Sequence, residues 1–283
     1  MAWLRPHFVW LLLLPLGTTS APDAAHATPQ PLAPHRAVYE MRLDDAKTGS
    51  GIAALSGRMV FEFRGTSCEG FTQSIRLVTR IVGRDGNQTL SDMRTSSWED
   101  AAGDKFSFSS TTLRNQKVAE RVAGNAERAD DGTLKVDLSR PSDATLNLRT
   151  RAMFPVDHTQ ALIARSRAGE RVFQADVYDG SESGEKYYTT TSIIGKGIAA
   201  GKDAAIGDAP PNAAFGLGSL KSWPVAISYF EPSDATGEGL PTYEMGFRLF
   251  ENGVARNLRI DYGGFSVKGN LSDVTYFPPQ TCD

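Results

Sequence analysis

Cysteine is nearly absent from this 283-residue chain, which has only Cys68 and Cys282. They lie far apart and form no C-x-x-C pair, so thiol redox chemistry has no motif to rest on. Histidine is almost as scarce: of the four, His7 and His26 fall in the N-terminal segment, leaving His35 and His158. A metal site asks for a cluster of ligands, and neither histidine has a Cys or a second His at ligand spacing. Each is expected to be structural or at the surface, and no metal or cofactor is expected. The G-x-S-x-G elbow of a serine hydrolase is missing as well. The serine-rich turn Gly180-Ser181-Glu182-Ser183-Gly184 lacks that spacing and connects two strands. No glycine-rich phosphate loop occurs, and no catalytic residues are assigned.

Excess charge of one sign is also lacking. With 30 Lys and Arg against 33 Asp and Glu the net charge is −3, and basic residues do not run together. This argues against a nucleic-acid partner and against a polybasic lipid anchor. The one long apolar run, Phe8 to Leu16, is too short to cross a bilayer, which takes about 20 residues. Arg5 before it and Ala25-His26-Ala27 after it give residues 1–27 the form of a secretory signal peptide. Thr19-Ser20-Ala21 is a second possible cleavage site, so Ala21 or Ala27 precedes the cut, and a retained anchor is the alternative. The mature chain is expected in the periplasm, peripheral to a membrane at most.

What the chain has in quantity is alternation. Met59, Phe61 and Phe63 alternate with Val60, Glu62 and Arg64, and Ile75, Leu77 and Ile81 with Arg76, Val78 and Arg80. This is the period-2 pattern of half-buried strands, folded into a hairpin by the turn that carries Cys68. Similar segments follow a proline-rich lead-in at 28–34, expected to be flexible: Arg36 to Asp44, Gln88 to Glu99, Lys105 to Leu113, Thr133 to Leu138 and Thr145 to Leu148. They resume at Val172 to Tyr178, Lys186 to Ile194, Trp223 to Phe230, Tyr243 to Phe250, Ala255 to Tyr262 and Phe265 to Phe277. Lys117 to Ala129 could pass for a helix by composition, but Gly124 and an incomplete apolar stripe make it a strand. Gly195 to Gly218, poor in large apolar residues, reads as a long surface loop. Residues 35–283 are therefore expected to form one all-β domain of strongly curved, mostly antiparallel sheet.

One helix is marked, from His158 to Ala168. Asp157 and Gln160 have capping-box spacing, and Gly169 sits where a left-handed C-terminal residue belongs. It is expected either to plug the open end of the sheet or to cover a sheet edge. The strand aromatics, among them Phe61, Phe63, Phe106, Phe108, Tyr229 and Phe247, read as core, with some able to line a cleft if the sheet is incompletely filled. Glycosidase chemistry needs only two carboxylates, so Glu99 with Asp100, Asp176 with Asp179, and Glu182 with Glu185 are loose candidates. An outer-membrane barrel is disfavoured by charges at outward positions such as Arg58, Arg76, Arg248, Arg256 and Arg259.

Two cysteines in an exported chain are expected to pair, Cys68 with Cys282, the alternative being two independent buried thiols. The expected bond clasps the open edge of the sheet and limits fraying of the C-terminal strand.

LSGRMVFEFRGTSCEGFTQSIRLVTRI at Leu55, APHRAVYEMRL at Ala33, FPVDH at Phe154, RAGERVFQADVYDGSESGEKYY at Arg167, SYFEP at Ser228 and YGGFSVKGNL before Cys282 together resemble the cell-envelope integrity EipB family, in the same order and over essentially the mature chain. The resemblance implies a periplasmic protein with an open or spiral-like β-barrel and one helix, a disulfide at Cys68 and Cys282, and a role in envelope integrity under stress. It carries over neither an enzymatic activity nor a ligand, and the missing catalytic motifs make the expected protein a non-enzyme without a cofactor. The expected function is non-enzymatic binding of a peptide or an envelope protein in a groove of the curved sheet, by a monomer. Carriage of lipid or lipoprotein is the alternative, and a cell-wall hydrolase the weaker one.

Overall fold

The computed structural model describes residues 32–202, 212–232, 239–279 and 282. The expected signal segment, with its cleavage after Ala21 or Ala27, lies outside the described residues. Fourteen strands form one antiparallel sheet. They are β1 (His35–Ala46), β2 (Ile52–Thr66), β3 (Gly70–Gly83), β4 (Gln88–Glu99), β5 (Lys105–Arg114), β6 (Lys117–Arg128), β7 (Leu134–Arg140) and β8 (Ala144–Leu148), then β9 (Val172–Val177), β10 (Tyr188–Ile194), β11 (Ser222–Phe230), β12 (Tyr243–Phe250), β13 (Ala255–Asp261) and β14 (Phe265–Tyr276). Between the two runs stands α1 (Pro155–Ala168).

Alternation puts one row of each strand inward. Tyr39 faces Met59, which faces Leu77, and Ala37 faces Phe61, which faces Ile75. Strand order is β8-β7-β6-β5-β4-β3-β2-β1-β14-β13-β12-β11-β10-β9. The first and last strands therefore pair in the middle, Ala37 opposite Val274 and Met41 opposite Gly269. This corrects the expectation that the C-terminal strand is an edge: β14 is flanked on both sides, and the free edges belong to β8 and β9. Cys68 and Cys282 are bonded, with Cα atoms 5.9 Å apart, which ties the end of β14 across β1 to the β2–β3 turn and clasps no edge.

The helix begins at Pro155, ahead of the expected His158. Proline suits the first helical position because its missing N–H would have no helical partner there. The capping box does not form: Phe154 is the cap residue and makes no side-chain cap. Glu99 does the work from β4, its carboxylate accepting from the N–H groups of Val156 and Asp157, both at 2.8 Å. At the other end Gly169 takes φ 82°, a left-handed conformation. The helix lies across the concave side of the sheet, with Val156 packed on Phe63 and Phe71 and with Leu162 and Ile163 on Phe173, Trp223 and Leu249. It thus combines the two expected placements, lying within the curve of the sheet and also packing on the edge strand β9, where His158 stacks on Phe173.

Three further expectations are corrected. The loop Gly195 to Gly218 is not all surface: a 3-10 turn at Asn212–Phe215 delivers Phe215 and Leu217, 6% and 1% exposed, into the cluster around Tyr39, Phe250 and Leu258. Arg256 is not outward in solvent but buried under that segment, donating to Asn212 Oδ1 and lying 5.0 Å from the Phe215 ring centre. The end of the lead-in is fixed, since Ala33 N–H bonds Asn252 O at 2.9 Å, Phe277 N–H bonds Pro34 O at 2.9 Å, and Leu32 packs on the core.

Candidate functional site

Between α1 and the inner faces of β1, β2, β3, β11, β12 and β13 lies a cavity of about 320 Å³. Its walls are mostly apolar: Met59, Phe61, Ile75, Leu162, Ile227 and Phe247 are inward residues of amphipathic elements that the helix does not fully cover. Such a volume stands at the small end of ligand pockets, which run from about 300 Å³ upward.

Polar groups are few on this lining, and most are engaged with the protein. Tyr39 Oη donates to Ala255 O at 2.8 Å, and Thr159 Oγ1 donates to Pro155 O at 2.8 Å. Asp179 is the one carboxylate among the described lining residues. It accepts from Ser181 N–H at 2.9 Å, and burial pushes its carboxyl above the ordinary range. The turn it occupies is tight, for Gly180 has φ 67° and a Cβ there would run into the Phe108 ring.

Both remaining histidines stand on this wall. His35, 2% exposed, is the first residue of β1, on the inward row with Ala37, Tyr39 and Met41; His158, 6% exposed, shares a helix face with Leu162. Burial lowers the pKa of both, that of His158 to about 4, so both rings are neutral near pH 7. His35 Nδ1 lies 2.7 Å from Ala33 O. The Nε2 atom of each ring is buried without a hydrogen-bond partner. Both were expected to be structural or at the surface, and both are buried. The signal was there in parity, His35 two residues before Ala37 and His158 four before Leu162.

The structure does not gather the candidate carboxylates into a pair. Glu99 holds the helix start, where burial pushes its carboxyl up to about 7 against the pull of the two amides. Asp100 caps its own turn through the N–H groups of Asp104 and Lys105. Asp176 ties the sheet edge, accepting from Thr150 Oγ1 at 2.7 Å and Thr189 Oγ1 at 2.9 Å. Glu182 accepts from Tyr188 Oη at 2.8 Å, and Glu185 is exposed. Among the described residues no group of three or more His, Cys, Asp or Glu is placed to hold a metal ion.

Comparison with known proteins agrees with this architecture. Residues 26–278 match the EipB-like family model. The cell envelope integrity protein EipB of Brucella abortus (strain 2308) is 36% identical over 264 residues, covering 93% of this chain and 89% of that protein. A crystal structure from Brucella abortus, described as a beta-barrel-like protein of a domain of unknown function, superposes with a TM-score of 0.79 at 35% identity, covering 88% of this chain and 99% of that one.

Proposed function

Because the chain belongs to the EipB-like family, we propose that it supports cell-envelope integrity as an exported, non-catalytic protein that holds an apolar chain, such as a lipid acyl group, in the cavity under α1. The observation that carries this reading is the cavity itself: a partly open volume of about 320 Å³ walled by Met59, Phe61, Ile75, Ile227, Met245 and Phe247. Burying apolar surface contributes roughly 25 cal/mol per Å², so such walls favour a hydrocarbon over a polar chain. A peptide or envelope protein in an open groove is less favoured, because α1 occupies the concave side where an extended segment would lie. A hydrolase is less favoured too, since Asp179 is the one carboxylate among the described lining residues. The Cys68–Cys282 bond fits an oxidising compartment such as the periplasm.

Protein purified from the periplasm and examined by native mass spectrometry, with organic extraction of whatever it carries, tests this directly. A bound amphiphile, displaced by a fluorescent apolar probe, supports it. Protein that carries none and takes up no apolar probe would overturn it.

A further inference from the structure

No stretch of the sequence is polybasic, yet the fold gathers arginines that the chain keeps apart. On the outer face of β1 to β6, the side turned away from the cavity, two open hollows of about 820 and 580 Å³ adjoin at Val60 and Arg76. Their floor is aliphatic, with Val60, Val78, Leu90 and Leu113, and around it stand six exposed arginines: Arg42, Arg58, Arg76, Arg80, Arg94 and Arg121. The carboxylates on the lining are Glu40 and Glu62, joined by Asp92 beside Arg76. This is a basic face on a chain in which acidic residues outnumber basic ones, 33 to 30. Glu40 pairs with Arg58 at 2.6 Å, Asp92 is shared by Arg76 and Arg94 at 3.0 and 2.8 Å, and Glu62 reaches Arg36 and Arg64. Among the described residues the other three arginines have no carboxylate partner. In the ladder Arg42 stands between Ser56 and Lys268, Arg80 between Ser56 and Leu90, and Arg121 opposite Thr111. Arg76 and Arg94 are directly opposite each other, and like charges so placed destabilise a sheet. Beside these charges Leu90 and Val118 are 41% and 48% exposed.

We infer that this outer face docks on a lipid surface that bears anionic phosphate headgroups, the arginines pairing with phosphates while Leu90 and Val118 rest against the apolar layer beneath them. Every cation around the hollows is an arginine, whose planar fork matches two phosphate oxygens at once. From β1 to β6 they spread over five strand spacings, roughly 24 Å, and they lie on three cross-strand rows: Arg42 with Arg80, then Arg58, then Arg76 with Arg94 and Arg121. An acidic peptide would offer carboxylates along one line, whereas a headgroup layer offers phosphates in two dimensions. The docking surface goes beyond the cavity reading and does not depend on what the cavity holds.

The test is sedimentation of the disulfide-bonded protein with vesicles. Vesicles of phosphatidylcholine mixed with phosphatidylglycerol should carry the protein down at low salt, and vesicles of phosphatidylcholine alone should not. About 1 M salt, where the screening length falls to about 3 Å, should release it. Reversing together the three arginines that lack a carboxylate, Arg42→Glu, Arg80→Glu and Arg121→Glu, should weaken binding at least about tenfold. The same charge change at exposed cations outside β1 to β6, Arg149→Glu, Arg171→Glu and Lys196→Glu, should weaken it far less. Equal losses in the two variants would overturn the assignment to this face. A parent that ignores the anionic vesicles overturns the docking and leaves the cavity reading standing, a result that needs no variant to fold. A parent that binds soluble polyglutamate but not the vesicles would have an acidic protein as its partner, and the lipid surface would be overturned. Leu90→Ser with Val118→Ser should weaken vesicle binding several-fold, and unchanged binding would overturn the aliphatic contact.

Discussion

Glu99 caps a helix through the amide of Val156, 57 residues further along the chain. No local pattern could reveal that, whereas the parity that turns His35 inward is written in β1 itself. The carboxyl titrates at about 7 in the fold against an ordinary 4.5. Its folded pKa is raised, so the stability it contributes is fully present below about 4.5 and is lost as pH rises through about 7. His158, depressed to about 4, runs the other way, its contribution being full above its ordinary 6.5 and lost as pH falls towards 4. That second slope is common to parent and variant and drops out of their difference. Denaturant titrations of the parent and of Glu99→Gln should therefore give a stability difference that moves by about 2 to 3 kcal/mol, against the parent, between pH 5 and pH 8. A constant difference would mean that Glu99 ionises in the ordinary range.

At the scale of elements, alternation made nearly every strand legible, including β6, whose composition argued for helix. Its residues pair in register with β5 and β7, Phe106 opposite Ala126 and Ala126 opposite Val136, and sheet partners overrode local propensity. The helix was legible in place but not in its start, because its N-terminal amides are satisfied from another strand. The segment at Asn212–Phe215 was misread because few large apolar residues mark it, yet Phe215 and Leu217 are well buried. Leu217→Ala should cost about 3 kcal/mol, as for other buried leucines, in a denaturant titration. A loss within about 0.5 kcal/mol, the surface value, would return the segment to the loop it was expected to be.

For the whole molecule, fold class, curvature and a lone α-helix among the described elements followed from the sequence, but the order of strands did not, since alternation names no partner. The cavity was legible only as a possibility, because whether strand aromatics fill a sheet or line it depends on how far the helix reaches. The Cys68–Cys282 bond spans 214 residues, and closing a loop of that length stabilises by up to about 5 kcal/mol in the chain-entropy model. Replacing both cysteines by serine should lower stability by about 2 to 5 kcal/mol. Because β14 is held between β1 and β13, hydrogen exchange at its amides should rise with global unfolding and not before it. Early exchange confined to β14 would show that the bond guards that strand after all.

The pairing of β1 with β14 sets a timetable. Every other neighbour in the sheet is the next strand along the chain, so each hairpin can form as soon as its two strands exist. The seam His35 to Tyr276 cannot, and until the last strand arrives β1 presents an open flank. Contacts this distant in sequence slow the search for the native state. Were the chain exported as proposed, such lateness would be useful: the barrel would stay unzipped until the whole polypeptide had been delivered across the membrane.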